Sequence, residues 1–233
     1  MEQLIEFFAD KNIHTVLDVG TGPGHFIHTL LKVFPDAVIT GVDPDEKSLQ
    51  EAMNSFRAFD FKTMNGERIN FPDNTFDLAS ISMALHHLSD VQLTLKEMQR
   101  VLKPGGWIIV NELFSDGLNP AQQVHTKMHH FRSKVDRLNG VCHNEAFTRK
   151  EILRQVEDSG LLIELHFENK KESLSPTPEE IQERKEKLSI ALETVNGRPE
   201  YDELAKQVPQ IEAELDKHGF EMATRLVVIA RAK

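Results

Sequence analysis

The sequence has little cysteine, a shortage of positive charge and no long apolar run, and each shortage excludes a class of protein. One cysteine, Cys142, stands among 233 residues, which excludes an internal disulfide and a cysteine-based zinc site. A count of 27 Lys and Arg against 37 Asp and Glu gives a net charge of −10, which repels nucleic-acid phosphates. No apolar run approaches the roughly 20 residues of a membrane span, and residues 1–10 lack the basic start of a secretory signal. We therefore expect a cytoplasmic protein with neither a nucleic-acid nor a membrane partner.

The sequence does contain a regular alternation of apolar strands and amphipathic helices. Hydrophobic residues make up 39% of the chain, which is enough to build a core. Strands of this kind, separated by helices, pair in parallel and are covered on both faces. This pattern predicts a doubly wound α/β domain. The predicted strands cover residues 14–19, 37–43, 59–65, 76–85, 106–113, 161–169 and 221–232.

A glycine-rich loop, Gly20-Thr21-Gly22-Pro23-Gly24, follows the first predicted strand. In doubly wound sheets, ligands bind at the carboxyl ends of the strands, and glycine lets the main chain approach them closely. Asp43 ends the second strand, where an acid can accept hydrogen bonds from ribose hydroxyls. The spacing is G-x-G-x-G rather than the dinucleotide pattern G-x-G-x-x-G, and no Tyr-x-x-x-Lys pair is present. An oxidoreductase with a nucleotide cofactor is therefore the less favoured alternative.

Four stretches together resemble the motifs of a known family. VLDVGTGPG, GVDPD, FPDNTFDLASISMALHHL and VLKPGGWIIVNE resemble, in this order, those of class I S-adenosylmethionine-dependent methyltransferases, in particular the branch that methylates small molecules. The resemblance covers residues 13–113. It implies a Rossmann-like, mostly parallel seven-stranded sheet that ends in an antiparallel hairpin, with S-adenosyl-L-methionine as the cofactor.

The resemblance also implies which residues bind this cofactor. Asn65-Gly66 stands where the family often has Asp-Ala beside the adenine, and an Asn side chain can still accept a hydrogen bond from the adenine amine. The implied site consists of Asp18, Gly20, Gly22 and Gly24 at the methionine portion, Asp43 at the ribose, Pro44, Asn65 and Gly66 at the adenine, and Ser82 near the methionine end.

Histidines are the candidates for substrate contact and proton transfer. His86 and His87 follow the fourth strand, and they either line the substrate mouth together with Glu112 or cap the next helix. His125 and His129 are four residues apart on one predicted helix face, a spacing that can bind a metal, but no carboxylate completes a set and we predict no metal site. We expect His125 and His130 to line a substrate pocket or to lie on a solvated surface. His129 and His143 are our candidates for a general base, because imidazole titrates near neutrality.

The remaining sequence predicts two helical insertions in the sheet domain. We divide the chain into a cofactor-binding core (1–113), a helical cap (114–147), the rest of the sheet domain (148–169 and 219–233) and an inserted helical hairpin (170–218). The hairpin carries 12 acidic and 8 basic residues, so it is no nucleic-acid arm. It is an ordinary packed hairpin, a lid or a surface for homodimerisation, because each helix has an apolar stripe that needs a partner.

The sequence therefore predicts a methyltransferase that acts on a small-molecule acceptor. Methylation of protein or RNA, a nucleotide-cofactor oxidoreductase, and a cofactor-binding protein without catalysis are the alternatives.

Overall fold

A computed structural model of the chain describes residues 2–170 and 175–232. The chain forms two compact units. The sheet unit comprises Met1–Glu112, Glu151–Asn169 and Leu226–Lys233, and the helical unit comprises Leu113–Lys150 and Lys170–Arg225.

A seven-stranded sheet is the centre of the sheet unit. Its order is β3-β2-β1-β4-β5-β7-β6, and the pairs β3-β2, β2-β1, β1-β4 and β4-β5 are parallel. The strand order reverses beside β1, which makes the carboxyl ends of β1 and β4 the switch point. The predicted doubly wound α/β fold is confirmed. The strands are β1 Thr15–Val19, β2 Val38–Asp43, β3 Asp60–Thr63, β4 Phe76–Ser82, β5 Leu102–Leu113, β6 Leu162–Asn169 and β7 Arg225–Arg231.

Helices alternate with these strands, as predicted. Asp45 begins α3 by accepting hydrogen bonds from the amides of Lys47 and Ser48, and Asp90 begins α4 by accepting one from Leu93, which is the usual role of an N-cap acid. The helices are α1 Glu2–Phe8, α2 Ile27–Val33, α3 Glu46–Ser55, α4 Val91–Val101, α5 Pro120–Leu138, α6 Arg149–Asp158, α7 Pro178–Glu193 and α8 Tyr201–His218.

Three strand ends differ from the sequence prediction by three residues or more, and one of them is the start of the seventh strand, which lies at Arg225 rather than at residue 221. The fourth strand ends at Ser82, and Leu85–His87 form a 3₁₀ turn instead of continuing it. The fifth strand begins at Leu102 rather than at residue 106, because Phe76 pairs with Leu102 while Leu78 pairs with Trp107. The Lys-Pro-Gly-Gly segment between these partners therefore makes a wide bulge, in the place where the sequence predicted a turn.

The sheet unit contains a large cluster of buried apolar residues. Leu4 and Phe8 of α1, Ile39 of β2 and Leu49 of α3 are buried together, because each helix turns its apolar stripe toward the sheet. This packing fixes the strands whose carboxyl ends carry the candidate site.

The helical unit has a core of its own. Phe131 of α5, Leu192 of α7 and Leu204 and Ile211 of α8 are buried in one cluster. The apolar stripes of the predicted hairpin thus find their partners within the unit. None of the helices in the two described ranges is long and apolar enough to cross a lipid bilayer.

Candidate functional site

The glycine loop lies at the carboxyl ends of β1 and β2. The amide of Thr21 donates to the carbonyl of Val42 at 3.0 Å, and the amide of Gly22 donates to Asp43 Oδ2 at 2.8 Å. Gly20, Gly22 and Gly24 have φ angles of 65°, 52° and 88°, which other residues adopt at a cost. The loop is therefore held against the end of β2 in a conformation that needs glycine.

The three loop glycines differ in what surrounds them. A Cβ added at Gly20 would lie 2.5 Å from Cβ of Ala84, and one at Gly24 would lie 2.7 Å from the Phe56 ring. Those two glycines allow close packing within the unit. A Cβ at Gly22 would have no atom of the described residues within 4 Å. Gly22 therefore presents bare main chain to open space, where a ligand can approach it.

Asp18 is a buried carboxylate beneath this loop, with 1% of its surface exposed. Its Oδ1 accepts a hydrogen bond from Ser80 Oγ at 2.6 Å, and its Oδ2 accepts one from Thr21 Oγ1 at 2.8 Å. Burial raises the pKa of Asp18 to about 6, the two hydroxyls oppose the rise, and the charge of Asp43 adds to it. A buried acid with a raised pKa favours a cationic neighbour, because the cation stabilises its ionised form.

Asp43 and the residues after β3 occupy the other side of the loop. Asp43 is half-buried, and its Oδ1 accepts from the amide of Asp45 at 2.9 Å, while Pro44 between them is exposed. Asn65 is exposed, and its Oδ1 accepts from the amide of Glu67 at 3.0 Å. Gly66 is buried, and a Cβ there would lie 3.0 Å from atoms of Thr94 and Val19.

The ends of β4 and β5 carry a second polar group of residues. Asn111 Nδ2 donates to Ser82 Oγ at 2.8 Å. Glu112 is fully buried; its Oε2 accepts from the amide of Leu85 and its Oε1 contacts His86 Nδ1, both at 2.9 Å. His87 is exposed, and its ring centre lies 4.3 Å from that of His86. Glu112 thus holds the buried His86 ring in a fixed orientation.

His129 and His143 meet in the helical unit. His143 Nδ1 lies 2.8 Å from Asp136 Oδ2, and its Nε2 lies 3.1 Å from His129 Nε2. Asp136 is acceptor-only when ionised, and Arg132 pairs with its other oxygen at 2.8 Å, so Nδ1 of His143 carries the proton. His143 Nε2 then accepts from His129 Nε2–H when both rings are neutral. This tautomer places the basic lone pair of His129 on Nδ1.

The other two histidines of α5 bind backbone amides. His125 Nδ1 accepts from the amide of Ala223 at 2.7 Å. His130 Nε2 accepts from the amide of Ala146 at 3.1 Å, and its Nδ1 lies 3.6 Å from a carboxylate oxygen of Glu145. Burial lowers the pKa of His130 in spite of Glu145.

Residues 17–110, which include the glycine loop, Asp18, Asp43 and most of the β4 and β5 ends, match the family model described as a methyltransferase domain. This segment is therefore similar to methyltransferase domains.

Curated relatives that are methyltransferases match about half of the chain. A methyltransferase of Schizosaccharomyces pombe named as uncharacterized is 31% identical over 141 residues, which are 54% of this chain and 50% of that protein. A demethylmenaquinone methyltransferase of Thermotoga maritima is 30% identical over 112 residues, 48% of this chain and 49% of that one. The chain thus spans about half the length of the curated relatives it matches.

Solved structures extend the likeness of fold over the whole chain. The YcgJ protein of Bacillus subtilis covers 100% of this chain, with 97% of its own chain covered, at a TM-score of 0.63 and 19% identity. A geranyl diphosphate methyltransferase in complex with S-adenosylmethionine covers 100% of this chain, with 84% of its own chain covered, at a TM-score of 0.57 and 15% identity. At these identities the likeness concerns the fold.

The residues around the glycine loop fit the methyltransferase cofactor. S-adenosylmethionine has no phosphate and carries a net positive charge, so its site needs acceptors and carboxylates rather than a phosphate cradle. The open face of Gly22 lies beside the carboxylate of Asp43, and Asp18 adds a second acid at the end of β1.

Several polar residues of these sites carried no signal in the sequence. Ser80 and Thr21 hold Asp18, yet a Ser within a strand and a Thr within a loop are common. Asp136, near the end of α5, contacts His143. The chain turns back toward Asp136 after the helix because Gly140, with φ of 81°, reverses the direction of the chain. The cofactor motifs are local in sequence, whereas these contacts are not.

Proposed function

We propose that this protein is an enzyme that transfers a methyl group from S-adenosylmethionine to a small organic acceptor. The observation that carries the proposal lies within the segment that matches the methyltransferase domain. There the main chain of Gly22 is open to a ligand. It lies between the end of β1, which contains Asp18, and the end of β2, which is Asp43. Bound S-adenosylmethionine would supply a methyl group that is already activated for in-line displacement. The chain itself then needs to align the reactants, keep water out and remove a proton where the acceptor has one.

We assign the cofactor contacts to the glycine loop and its neighbours. Gly20, Gly22, Gly24 and Asp18 serve the methionine portion. The half-buried Asp43 carboxylate serves the ribose hydroxyls through its remaining lone pairs. Pro44, Asn65 and Gly66 serve the adenine, and Ser82, which Asn111 orients, lies near the methionine end.

We assign acceptor binding to the part of the chain that follows the family-model match of residues 17–110. Residues 114–147 act as a cap, residues 170–218 support it, and the remaining segments (148–169 and 219–233) complete the sheet domain. Named relatives act on demethylmenaquinone or in the ubiquinone and menaquinone pathway, which supports a small organic acceptor here.

We propose His129 as the group that removes a proton from the acceptor. The lone pair on His129 Nδ1 takes the proton, and His143 supports the resulting imidazolium because its Nδ1–H is held by the Asp136 carboxylate. His143 and Asp136 are thus positioning residues. His86, His87 and Glu112 are our substrate-pocket candidates in the sheet unit, and His125 and His130 are those in the helical unit.

We also propose a cytoplasmic location, on the basis of the single cysteine. A homodimer through the hairpin would have to use the outer side of α7, where Ile190 is 66% exposed, because the inner stripes are already buried. Sedimentation analysis of the full chain tests this: a single monomeric species excludes the dimer.

A matched pair of glycine variants tests cofactor binding. Both Gly22→Ala and Gly160→Ala place an alanine at a positive φ, 52° and 87°, where no atom of the described residues lies within 4 Å of the new Cβ. Both should therefore lose stability of about 1–2 kcal/mol. Only Gly22→Ala should weaken S-adenosylhomocysteine binding, by at least about tenfold, measured by calorimetry. Equal affinity in the two variants would contradict the assignment of the loop.

A further inference from the structure

The helical unit contains a cavity of about 580 Å³ between α5, α7 and the segment after α8. Its volume lies in the range of small-molecule sites. Met128, Leu188 and Met222 form an apolar wall, whereas the titratable side chains on it are all histidine, arginine or lysine. No Asp or Glu of the described residues lines it, although the chain carries a net charge of −10.

Arg184 is a charged group of this cavity that forms no ion pair with the described residues, and Glu183, with whose charge it interacts, pairs instead with Lys187. Its guanidinium stacks on the Phe220 ring, 3.6 Å from the centroid. Its buried Nε has no hydrogen-bond partner, and no ion pair to Arg184 exists within the part of the chain that the structure describes. The other two cations differ, because Arg132 pairs with Asp136 at 2.8 Å and Lys187 with Glu183 at 2.7 Å. A guanidinium held between an aromatic ring and an apolar wall favours an anion that supplies the missing acceptor atoms.

His125 adds a neutral donor beside this cation. Its Nδ1 accepts from the amide of Ala223 at 2.7 Å, which places the proton of the neutral ring on Nε2. Burial, together with the charges of Arg184 and Arg225, lowers the pKa of His125 to about 4. The ring is therefore neutral near pH 7 and offers Nε2–H as a hydrogen-bond donor. Its edge meets Phe220 at a centroid distance of 5.2 Å, so both groups converge on the same aromatic side chain.

We propose that this cavity binds a small amphipathic carboxylate, whose head group is held by Arg184 and His125 and whose apolar body packs on Met128, Leu188 and Met222. A carboxylate fits better than a phosphate monoester because one cation in the cavity lacks a partner, and a second negative charge would stay unpaired in an apolar site. A second cavity of the same unit differs in its charges, because Glu200 and Glu203 line it together with Lys134 and Arg137. His125 and His129, which we assign above to the acceptor pocket and to proton removal, also line this cavity, so the carboxylate proposal deepens the proposed function. It concerns binding alone, which can be measured without methyl transfer.

Calorimetry on the full chain with three probes of equal chain length tests the head group. Octanoate should bind at millimolar concentration or below. Octanamide, which has the same shape without the charge, should bind at least about tenfold more weakly, because a charge-assisted hydrogen-bond pair is lost. Octyl phosphate should also bind more weakly than octanoate. Equal binding of octanoate and octanamide would show a merely apolar crevice and overturn the proposal, as would the absence of octanoate binding or a preference for the phosphate.

Charge-removing variants of one helix test the position. Arg184→Gln should weaken octanoate binding by at least about tenfold and leave octanamide binding unchanged. Lys185→Gln is the matched control, because Lys185 is the next residue of α7 and pairs with Asp216 at 2.6 Å instead of lining this cavity. Arg184→Lys keeps the charge and should recover part of the affinity. An equal loss of octanoate affinity in the Lys185 variant would show general charge attraction and contradict the site. If Arg184→Gln fails to fold, the comparison of the three probes on the unaltered chain still decides the proposal.

Discussion

Replacing Asp18 with asparagine should make the protein more stable and at the same time weaken its binding of the cofactor. The Asp18 carboxylate is buried and has a pKa raised to about 6 from its ordinary value of 3.8, mainly through burial. Ionising it in the folded state therefore costs free energy. Asparagine has the same shape and no charge. Its amide oxygen can accept from the Thr21 hydroxyl, and its amide nitrogen can donate to Ser80 Oγ. The Ser80 hydroxyl can then turn its own proton to the carbonyl of Leu17, which lies 3.5 Å away.

The size and the pH range of the effect follow from the two pKa values. The difference between 3.8 and about 6 corresponds to about 3 kcal/mol of the free energy of unfolding. In the folded state Asp18 holds its proton more tightly than in the unfolded state, so its penalty is absent below pH 3.8, grows between the two pKa values and is complete above about pH 6. Asp18→Asn should gain the full amount at pH 8 and roughly half of it at pH 5.

Urea unfolding at pH 8 and pH 5 measures this gain, and a thermal melt at pH 8 should shift upward by roughly 5–10 °C. Asp77→Asn is a control of opposite sign. Burial alone would raise the pKa of Asp77, but Lys103 and the amides of His14 and Thr15 lower it to about 2. The charge of Asp77 therefore stabilises the fold above pH 4, and Asp77→Asn should be less stable at pH 8. A loss of stability in Asp18→Asn that is equal at both pH values would refute the reasoning, because it would show a packing or hydrogen-bond effect without ionisation.

Two further predictions concern the proposed binding and catalytic residues. Asp43→Ala removes the acceptor for the ribose hydroxyls, so affinity for S-adenosylhomocysteine should fall at least about tenfold while the fold survives; unchanged affinity would show that another acid holds the ribose. His129→Ala and His143→Ala should lower methyl transfer to an identified acceptor at unchanged S-adenosylhomocysteine affinity, and Asp136→Asn should shift the pH profile of kcat, because it removes the charge that supports His143. Full turnover in all three variants would place these residues outside the reaction.

The fold and the cofactor half of the site could be predicted from the sequence because their signals are local. The apolar runs before Gly20 and Asp43 specify two strands, and glycine spacing and an acid at a strand end mark what these strands hold. The strand at residue 102 was predicted four residues late, since Pro104 and two glycines resemble a turn and in fact form a bulge within the strand. The local sequence pattern does not distinguish a turn between two elements from a bulge within a strand.

The contacts of His125 and His129 could not be predicted from local sequence pattern. Spacing placed His125 and His129 on one helix face, but it could not show that His125 binds the amide of Ala223 whereas His129 meets His143. Both contacts depend on how chain segments far apart in sequence pack together. The sequence likewise did not indicate that Arg184 would lie on Phe220 and form no ion pair with the described residues.

Whether the chain binds S-adenosylmethionine can be decided by calorimetric titration of the full chain with S-adenosylmethionine, S-adenosylhomocysteine and NAD. Both sulfur compounds should bind one per chain, and Gly22→Ala should weaken both, because the same open main chain contacts their shared amino-acid tail. NAD should not bind. Binding of NAD without any response to either sulfur compound would contradict the account.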